Sequence, residues 1–156
     1  YDEMTRKMFE GSYVGADETP IKYLEPGAGK TKQGYLWAYR VPNGDTLFDW
    51  HPGRGHECLE SFIPESYNGI IQCDGFIAYK TYVSDRKGIK LAGCWAHARR
   101  KFHDAFEVGE FRELSGWILR QIQHLYRIEK KIRECRAGPG LRKVVRSYES
   151  KPILKR

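Results

Sequence analysis

Two aspartates that each follow a short apolar run are the residues of this sequence best suited to metal-dependent chemistry. Asp17 follows residues 13–16, and Asp74 follows residues 69–73. If the two runs form neighbouring parallel strands, both carboxylates emerge at the same edge of a sheet. Carboxylates that lie about 4–6 Å apart repel each other without a cation, and their oxygens suit Mg²⁺ or Mn²⁺. We therefore expect a divalent-metal site of the kind that cuts and joins phosphodiesters.

Each aspartate also has an ordinary structural interpretation. Asp17 could cap a turn before Thr19 and Pro20, and Asp74-Gly75 is a common turn dipeptide. Taken singly, each position favours the structural role. The pair favours metal binding only in the strand order derived below.

A Cys-x-x-His pair, Cys94 and His97, directly follows the last predicted strand. It supplies two of the four ligands that a structural zinc site requires. Other possible ligands have no matching spacing; they are His51, His56, Cys58 and His103. We therefore expect no zinc, with Cys94 in the core and His97 opening a helix near the metal end of the sheet.

Several cations could contact DNA phosphates. They are Arg99, Arg100 and Lys101 after the last predicted strand, Lys30 and Lys32 in a Gly-rich loop, and Arg54 in a Gly-flanked turn. The Gly-rich loop lacks the full spacing of a phosphate-binding loop. For the first three cations, a solvated helix face is the competing interpretation.

Charge divides the sequence into an acidic and a basic part. Residues 1–85 carry 8 Lys/Arg against 13 Asp/Glu, and residues 86–156 carry 19 against 7. The overall charge of +7 therefore conceals segments of −5 and +12. Such a division predicts that the first part holds cations and the second holds phosphates, unless the basic residues only keep helices soluble.

The elements that must position the aspartates can be predicted from periodicity. Alternation over residues 34–41 predicts a strand with its aromatic side chains on the core face: Tyr35, Trp37 and Tyr39, followed by Val41. A strong turn at residues 42–45 leads to a return strand at 46–50. With residues 13–16 as the first strand, these segments predict an antiparallel meander.

The next segments predict how the sheet is completed. Residues 69–73 and 89–94 are strands, the latter apolar enough for an interior position, and short helices are expected at 2–9, 57–63 and 76–83. A right-handed crossover that places the fourth strand beside the first gives an α/β fold with a mixed five-stranded sheet. This is a ribonuclease H-like arrangement, in which Asp17 and Asp74 face one another at the strand ends.

The remainder of the sequence is helical. Apolar residues recur at steps of three and four from Leu114 to Cys135, with Arg and Lys on the opposite face, which predicts a long amphipathic helix. Residues 137–140 break it, and another helix starts at 141. We therefore predict a catalytic core at residues 1–104 and a basic helical insertion at 105–156.

Other features of the sequence limit its class and compartment. The cysteines are scattered and no Cys-x-x-Cys motif occurs, which indicates reduced thiols and a cytoplasmic protein. Neither a signal peptide nor an apolar run of about 18 residues is present. Residue 1 is Tyr and the first helix looks truncated, so we expect a fragment of a longer protein.

Four stretches together resemble the catalytic domain of the insertion sequence 66 family of bacterial transposases. They are Ala16-Asp17-Glu18-Thr19-Pro20, the segment 29–37 (GKTKQGYLW), Gln72-Cys73-Asp74-Gly75-Phe76, and the segment 93–102 (GCWAHARRKF). The similarity is clear over residues 10–107. Phe76 stands where the family commonly has Tyr.

The resemblance implies a DDE transposase, in which two Asp and one Glu on a ribonuclease H-like sheet bind two Mg²⁺ or Mn²⁺ ions. By that match Asp17 and Asp74 are the first two acids, and Cys94 and His97 are a signature of uncertain role. The implied partners are double-stranded DNA, as transposon ends and target, and further copies of the protein in a synaptic complex. The implied location is the bacterial cytoplasm, associated with the nucleoid.

The third acid has no counterpart in this sequence. Glu107, Glu110 and Glu113 come too soon after the fifth strand, and the family's Glu segment lies beyond this chain. We therefore expect the isolated fragment to be inactive. Two alternatives stay open: a basic DNA-binding module without catalysis, and a different ribonuclease H-like nuclease such as a resolvase or an RNA-cleaving enzyme.

Overall fold

A computed structural model describes residues 1–27, 29–42, 44–109 and 111–155. The chain forms two compact units, Tyr1–Cys94 and Trp95–Arg156. Ala28 of the predicted Gly-rich loop and Asn43 of the predicted turn lie outside the described residues. The units divide before the predicted functional boundary at residue 104, which stays a prediction.

The first unit alternates short helices with strands, close to the predicted order. Its elements are α1 (Asp2–Phe9), β1 (Tyr13–Leu24), β2 (Thr31–Arg40), β3 (Thr46–His51), α2 (Glu57–Phe62), β4 (Ile70–Cys73), α3 (Ile77–Val83) and β5 (Lys90–Gly93). Within the described residues, the strands form a five-stranded sheet in the order β3-β2-β1-β4-β5. β1 and β3 run antiparallel to β2, while β4 runs parallel to both β1 and β5.

This order confirms the predicted α/β class, the mixed sheet and the position of β4 beside β1. The core lies on one face of the sheet, where Trp37 and Tyr39 are fully buried. The ring of Tyr39 stacks on Phe62, with centroids 4.1 Å apart. The predicted aromatic stripe of β2 is therefore part of the core.

Two strand predictions were wrong. β1 does not end before Asp17, because its pairing with β2 continues from Gly15 to Leu24. Pro20 lacks a backbone N–H donor, which a central strand would need for pairing on both sides. The strand tolerates it because β1 pairs with β4 only as far as Gly15, so the edge of β1 away from β2 is open at Pro20. β5 is an edge strand rather than an interior one; Leu91 packs against the core, which explains the apolar run.

The second unit is helical. It contains α4 (Trp95–Val108), α5 (Arg112–Glu134), α6 (Pro139–Val145), a π-helical turn (Arg146–Ser150) and α7 (Lys151–Leu154). The long amphipathic helix is confirmed as α5, and its apolar face packs in a small core with Ala137 and Ile153. Pro139 lies at the start of α6, where its fixed φ suits a helix and its missing N–H costs nothing.

No helix among the described residues is long and apolar enough to cross a membrane.

Candidate active site

The register between β1 and β4 relates the two predicted acids. The last parallel pair joins Gly15 to Gln72, and Asp17 and Asp74 each lie two residues further on. Side chains alternate with a period of two, and neighbouring strands lie about 4.8 Å apart. If this register continued past its last pair, Asp17 would lie opposite Asp74, one residue after the end of β4.

Local backbone interactions differ between the two acids. Asp17 is exposed within β1, and its Oδ1 accepts a hydrogen bond from the Glu18 N–H at 3.1 Å. Asp74 begins a turn, where its Oδ1 accepts from the Phe76 N–H at 2.7 Å. Gly75 has a φ of +89°, which glycine adopts without steric cost. The turn interpretation is therefore confirmed for Asp74 and wrong for Asp17.

A buried carboxylate next to the pair was not predicted from the sequence. The side chain of Glu18 is 0% exposed. Its Oε1 accepts from Arg54 Nε at 2.7 Å, and its Oε2 accepts from the Tyr79 hydroxyl at 2.6 Å. The pKa of Tyr79 is raised far above its ordinary value. Burial is the largest cause, and the hydrogen bond to Glu18 and the negative charge of Glu18 add to it. The alternation of Val14, Ala16 and Glu18 in β1 was a signal that could have identified it.

Arg54 connects this buried carboxylate to the candidate site. Its Nη2 lies 2.5 Å from Glu18 Oε1 and 3.8 Å from Asp74 Oδ2. Its guanidinium also lies over the ring of Phe76, 3.7 Å from the centroid, in a cation–π contact. The structure thus engages Arg54 inside the first unit; its predicted contact with DNA stays a prediction.

The other predicted DNA contacts lie on the surface. Lys32 forms an ion pair with Glu25, and Lys30 is exposed. Arg99, Arg100 and Lys101 are exposed on α4 in the second unit. Their exposure is compatible with phosphate contact and equally with a solvated helix face.

The Cys-x-x-His signature falls at the change from strand to helix. Cys94 is half-buried, and its N–H donates to the Cys73 carbonyl at 2.9 Å, which extends the ladder between β4 and β5. His97 lies in the first turn of α4 and is half-buried. The expected position of Cys94 in the core was wrong, because the residue lies at the end of the edge strand β5 and is only half-buried; the role of the signature stays a prediction.

The ligand set for a cation is incomplete in the described part of the chain. No group of three or more His, Cys, Asp or Glu among those residues could hold a metal ion. Glu107 and Glu113 are exposed in the second unit, and Glu110 lies outside the described residues. Asp17 and Asp74 offer two hard oxygen donors, which suit Mg²⁺ or Mn²⁺ in chemistry but need further ligands.

Comparisons with known proteins identify the family. The sequence model of the Transposase IS66 family matches residues 1–156. Two similar proteins of Sinorhizobium fredii (strain NBRC 101917 / NGR234) are the uncharacterized proteins y4qI, 36% identical over 85% of this chain, and y4jD, 32% identical over 99%. The chain spans 27% and 32% of their respective lengths. No solved structure matches. This chain belongs to the Transposase IS66 family.

Proposed function

We propose that this chain is part of the catalytic domain of a DDE transposase with a ribonuclease H-like fold. The activity is cleavage of transposon ends and their transfer to target DNA. The observation that carries the proposal is the parallel pairing of β1 with β4, whose last pair, Gly15–Gln72, lies two residues before each aspartate. Family membership and the order β3-β2-β1-β4-β5 support it.

In this proposal Asp17 and Asp74 hold a divalent cation, Mg²⁺ or Mn²⁺. When bound, the cation would activate the attacking oxygen and stabilise the leaving oxygen of a phosphodiester. The chain's own contribution is to fix two carboxylates on neighbouring backbone segments. No residue of this chain is assigned as the third acid, so we expect this chain by itself to bind metal weakly and not to transpose DNA.

Arg54 and Glu18 support Asp74 in this arrangement. The buried Glu18 carboxylate anchors Arg54 through two guanidinium nitrogens, and Arg54 then lies beside Asp74 Oδ2. A cation next to Asp74 offsets repulsion from Asp17 before metal binds. The Phe76 N–H holds the other oxygen, Oδ1, so Asp74 is oriented from two sides.

Titration with Mn²⁺ tests the metal site in this chain. We expect weak binding, measured from the free-ion electron paramagnetic resonance signal, that disappears in Asp17→Asn and in Asp74→Asn. Asp85→Asn is the matched control, because Asp85 is an exposed aspartate after α3 in the same unit. Mn²⁺ binding unchanged by the first two substitutions would reject the proposed site.

Strand cleavage tests the role of Asp17 in a protein of the relatives' full length. We expect Asp17→Ala to abolish cleavage of transposon-end DNA and to leave the circular dichroism spectrum unchanged, because Asp17 is exposed. A correctly folded variant that still cuts DNA would exclude the catalytic role.

A second function, a DNA-binding module without catalysis, is favoured by the division of charge along the sequence. In that case the basic helical unit binds DNA phosphates and the sheet only supports it. DNA binding that persists while Mn²⁺ binding is absent from the wild type would favour this second function. For the transposase we propose double-stranded DNA as partner, assembly of several copies on transposon ends, and action in the bacterial cytoplasm at the nucleoid.

A further inference from the structure

The helical unit contains an apolar cavity that the proposed active site does not use. Its volume is about 310 Å³, at the lower end of the range of about 300–1,000 Å³ for small-molecule sites. Its walls include Trp95, Ile122, Leu125, Tyr126 and Leu154. Trp95 and Tyr126 are 44% and 41% exposed, so two aromatic surfaces are open to a ligand.

The cavity also has polar groups on its wall. Ser150 is buried, and its Oγ has no hydrogen-bond partner among the described residues. A buried hydroxyl without a partner is uncommon in folded proteins. Ser150 belongs to the π-helical turn Arg146–Ser150, and such turns occur frequently at functional sites. Arg146 and Glu129 lie on the same wall as an ion pair, so Lys151 supplies the net positive charge of that wall.

A basic cavity adjoins the apolar one. It is lined by Ala96, Arg99, Arg100, His103 and Tyr126, and Tyr126 is common to both cavities. Trp95 and Arg99 are four residues apart on α4 and therefore share a helix face. Aromatic surfaces next to guanidinium groups match the chemistry of a nucleotide, with a flat base beside an anionic phosphate.

We propose that the apolar cavity receives one unpaired DNA base, which stacks on Trp95 and Tyr126 while a neighbouring phosphate contacts Arg99 and Arg100. The cavity suits one base in size, and the unit's sequence carries 16 Lys/Arg against 7 Asp/Glu, which complements DNA. Ser150 provides a polar group at the base edge. This inference depends on one part of the proposed function, namely that the helical unit contacts DNA.

The test compares two DNA duplexes that differ by one bulged 2-aminopurine nucleotide. Binding of each duplex to the 156-residue chain is measured by fluorescence anisotropy. We expect about tenfold tighter binding of the bulged duplex, with quenching of the 2-aminopurine emission on stacking. Trp95→Ala and Tyr126→Leu should abolish both the preference and the quenching.

Trp117→Ala is the matched control, because Trp117 is a partly exposed tryptophan of α5 that does not line the cavity. It should retain the preference. Helicity of each variant is checked by circular dichroism. Equal binding of the two duplexes would overturn the base pocket and leave the DNA-binding role intact, whereas binding of neither duplex would overturn both. A third outcome is that the chain self-associates, that Trp95→Ala abolishes this self-association, and that the bulged duplex binds no more tightly than the paired one. That outcome would assign the cavity to a second copy of the chain and reject the base pocket.

Discussion

The two compact units each contain an Arg–Glu pair, in different surroundings. In the sheet unit, Arg54 pairs with a Glu18 side chain that is 0% exposed. In the helical unit, Arg146 binds Glu129 through two nitrogens at 2.7 and 2.8 Å, but the side chains are 51% and 32% exposed. The hydrogen bond from Arg146 lowers the pKa of Glu129. The carboxylate is thus enclosed in the first pair and partly solvated in the second, while the Arg54 side chain is itself 35% exposed.

This difference agrees with the functions proposed for the units. The buried Glu18 fixes the geometry of its pair, because departure of Arg54 would leave an uncompensated carboxylate in a medium of low dielectric. A solvated pair is replaced readily by water or by another ion. The sheet unit therefore holds its buried carboxylate in place, while the helical unit carries many exposed cations, as the proposed contact with DNA requires.

The largest expected effect comes from breaking the enclosed pair. Arg54→Met leaves Glu18 buried without its cation and should lower the free energy of unfolding by about 3–5 kcal/mol. Arg146→Met in the helical unit should lower it by less than about 1 kcal/mol. Urea unfolding followed by circular dichroism measures both changes.

The double variant Glu18→Gln/Arg54→Met is the control for this comparison. It removes both charges and keeps an acceptor for Tyr79, so much of the stability should return. Equal decreases for Arg54→Met and Arg146→Met would show that Glu18 reaches solvent and would remove the contrast between the units.

A second prediction concerns alkaline pH in the sheet unit. Burial raises the pKa of Tyr82 to about 12, above its ordinary value near 10. Above about pH 10 the unfolded chain loses this proton while the folded chain keeps it, so stability falls as pH rises toward the folded value. Near pH 11 this decrease amounts to about 1.4 kcal/mol.

Tyr82→Phe tests this assignment, because phenylalanine cannot ionise. The difference in unfolding free energy between pH 8 and pH 11 should shrink by about 1.4 kcal/mol in the variant. Urea unfolding at the two pH values measures it. An unchanged difference would show that the hydroxyl is accessible to water.

The smallest expected effect concerns the salt dependence of DNA binding. Replacing Arg99, Arg100 and Lys101 by Gln should reduce the slope of log affinity against log salt by up to about 0.9 for each DNA phosphate that the protein no longer neutralises. Replacing Lys30 and Lys32 by Gln should change it less, because Lys32 is already paired with Glu25. Affinity measured from low to high salt gives both slopes. A larger change from the second set would place the main DNA contacts on the sheet unit.

Much of the fold was predictable from local pattern. Alternation in β2 placed Trp37 and Tyr39 in the core, and apolar spacing located α5. The end of β1 was not predictable, because Thr19-Pro20 is a turn signal that pairing with β2 overrides. The edge position of β5 was also missed, since an apolar run has the same appearance at an edge and in the interior.

For this protein, the amino-acid sequence determined the α/β order of elements, the division of charge and the identity of Asp17 and Asp74 as candidate acids. The tertiary structure decided that Glu18 is enclosed, that Arg54 joins it to Asp74, and that Tyr126 lines both an apolar cavity and a basic one. Local periodicity encodes which side of a strand or helix a residue occupies. Which distant residue lies opposite depends on strand register and helix packing, because these arise only when segments remote in the chain come together.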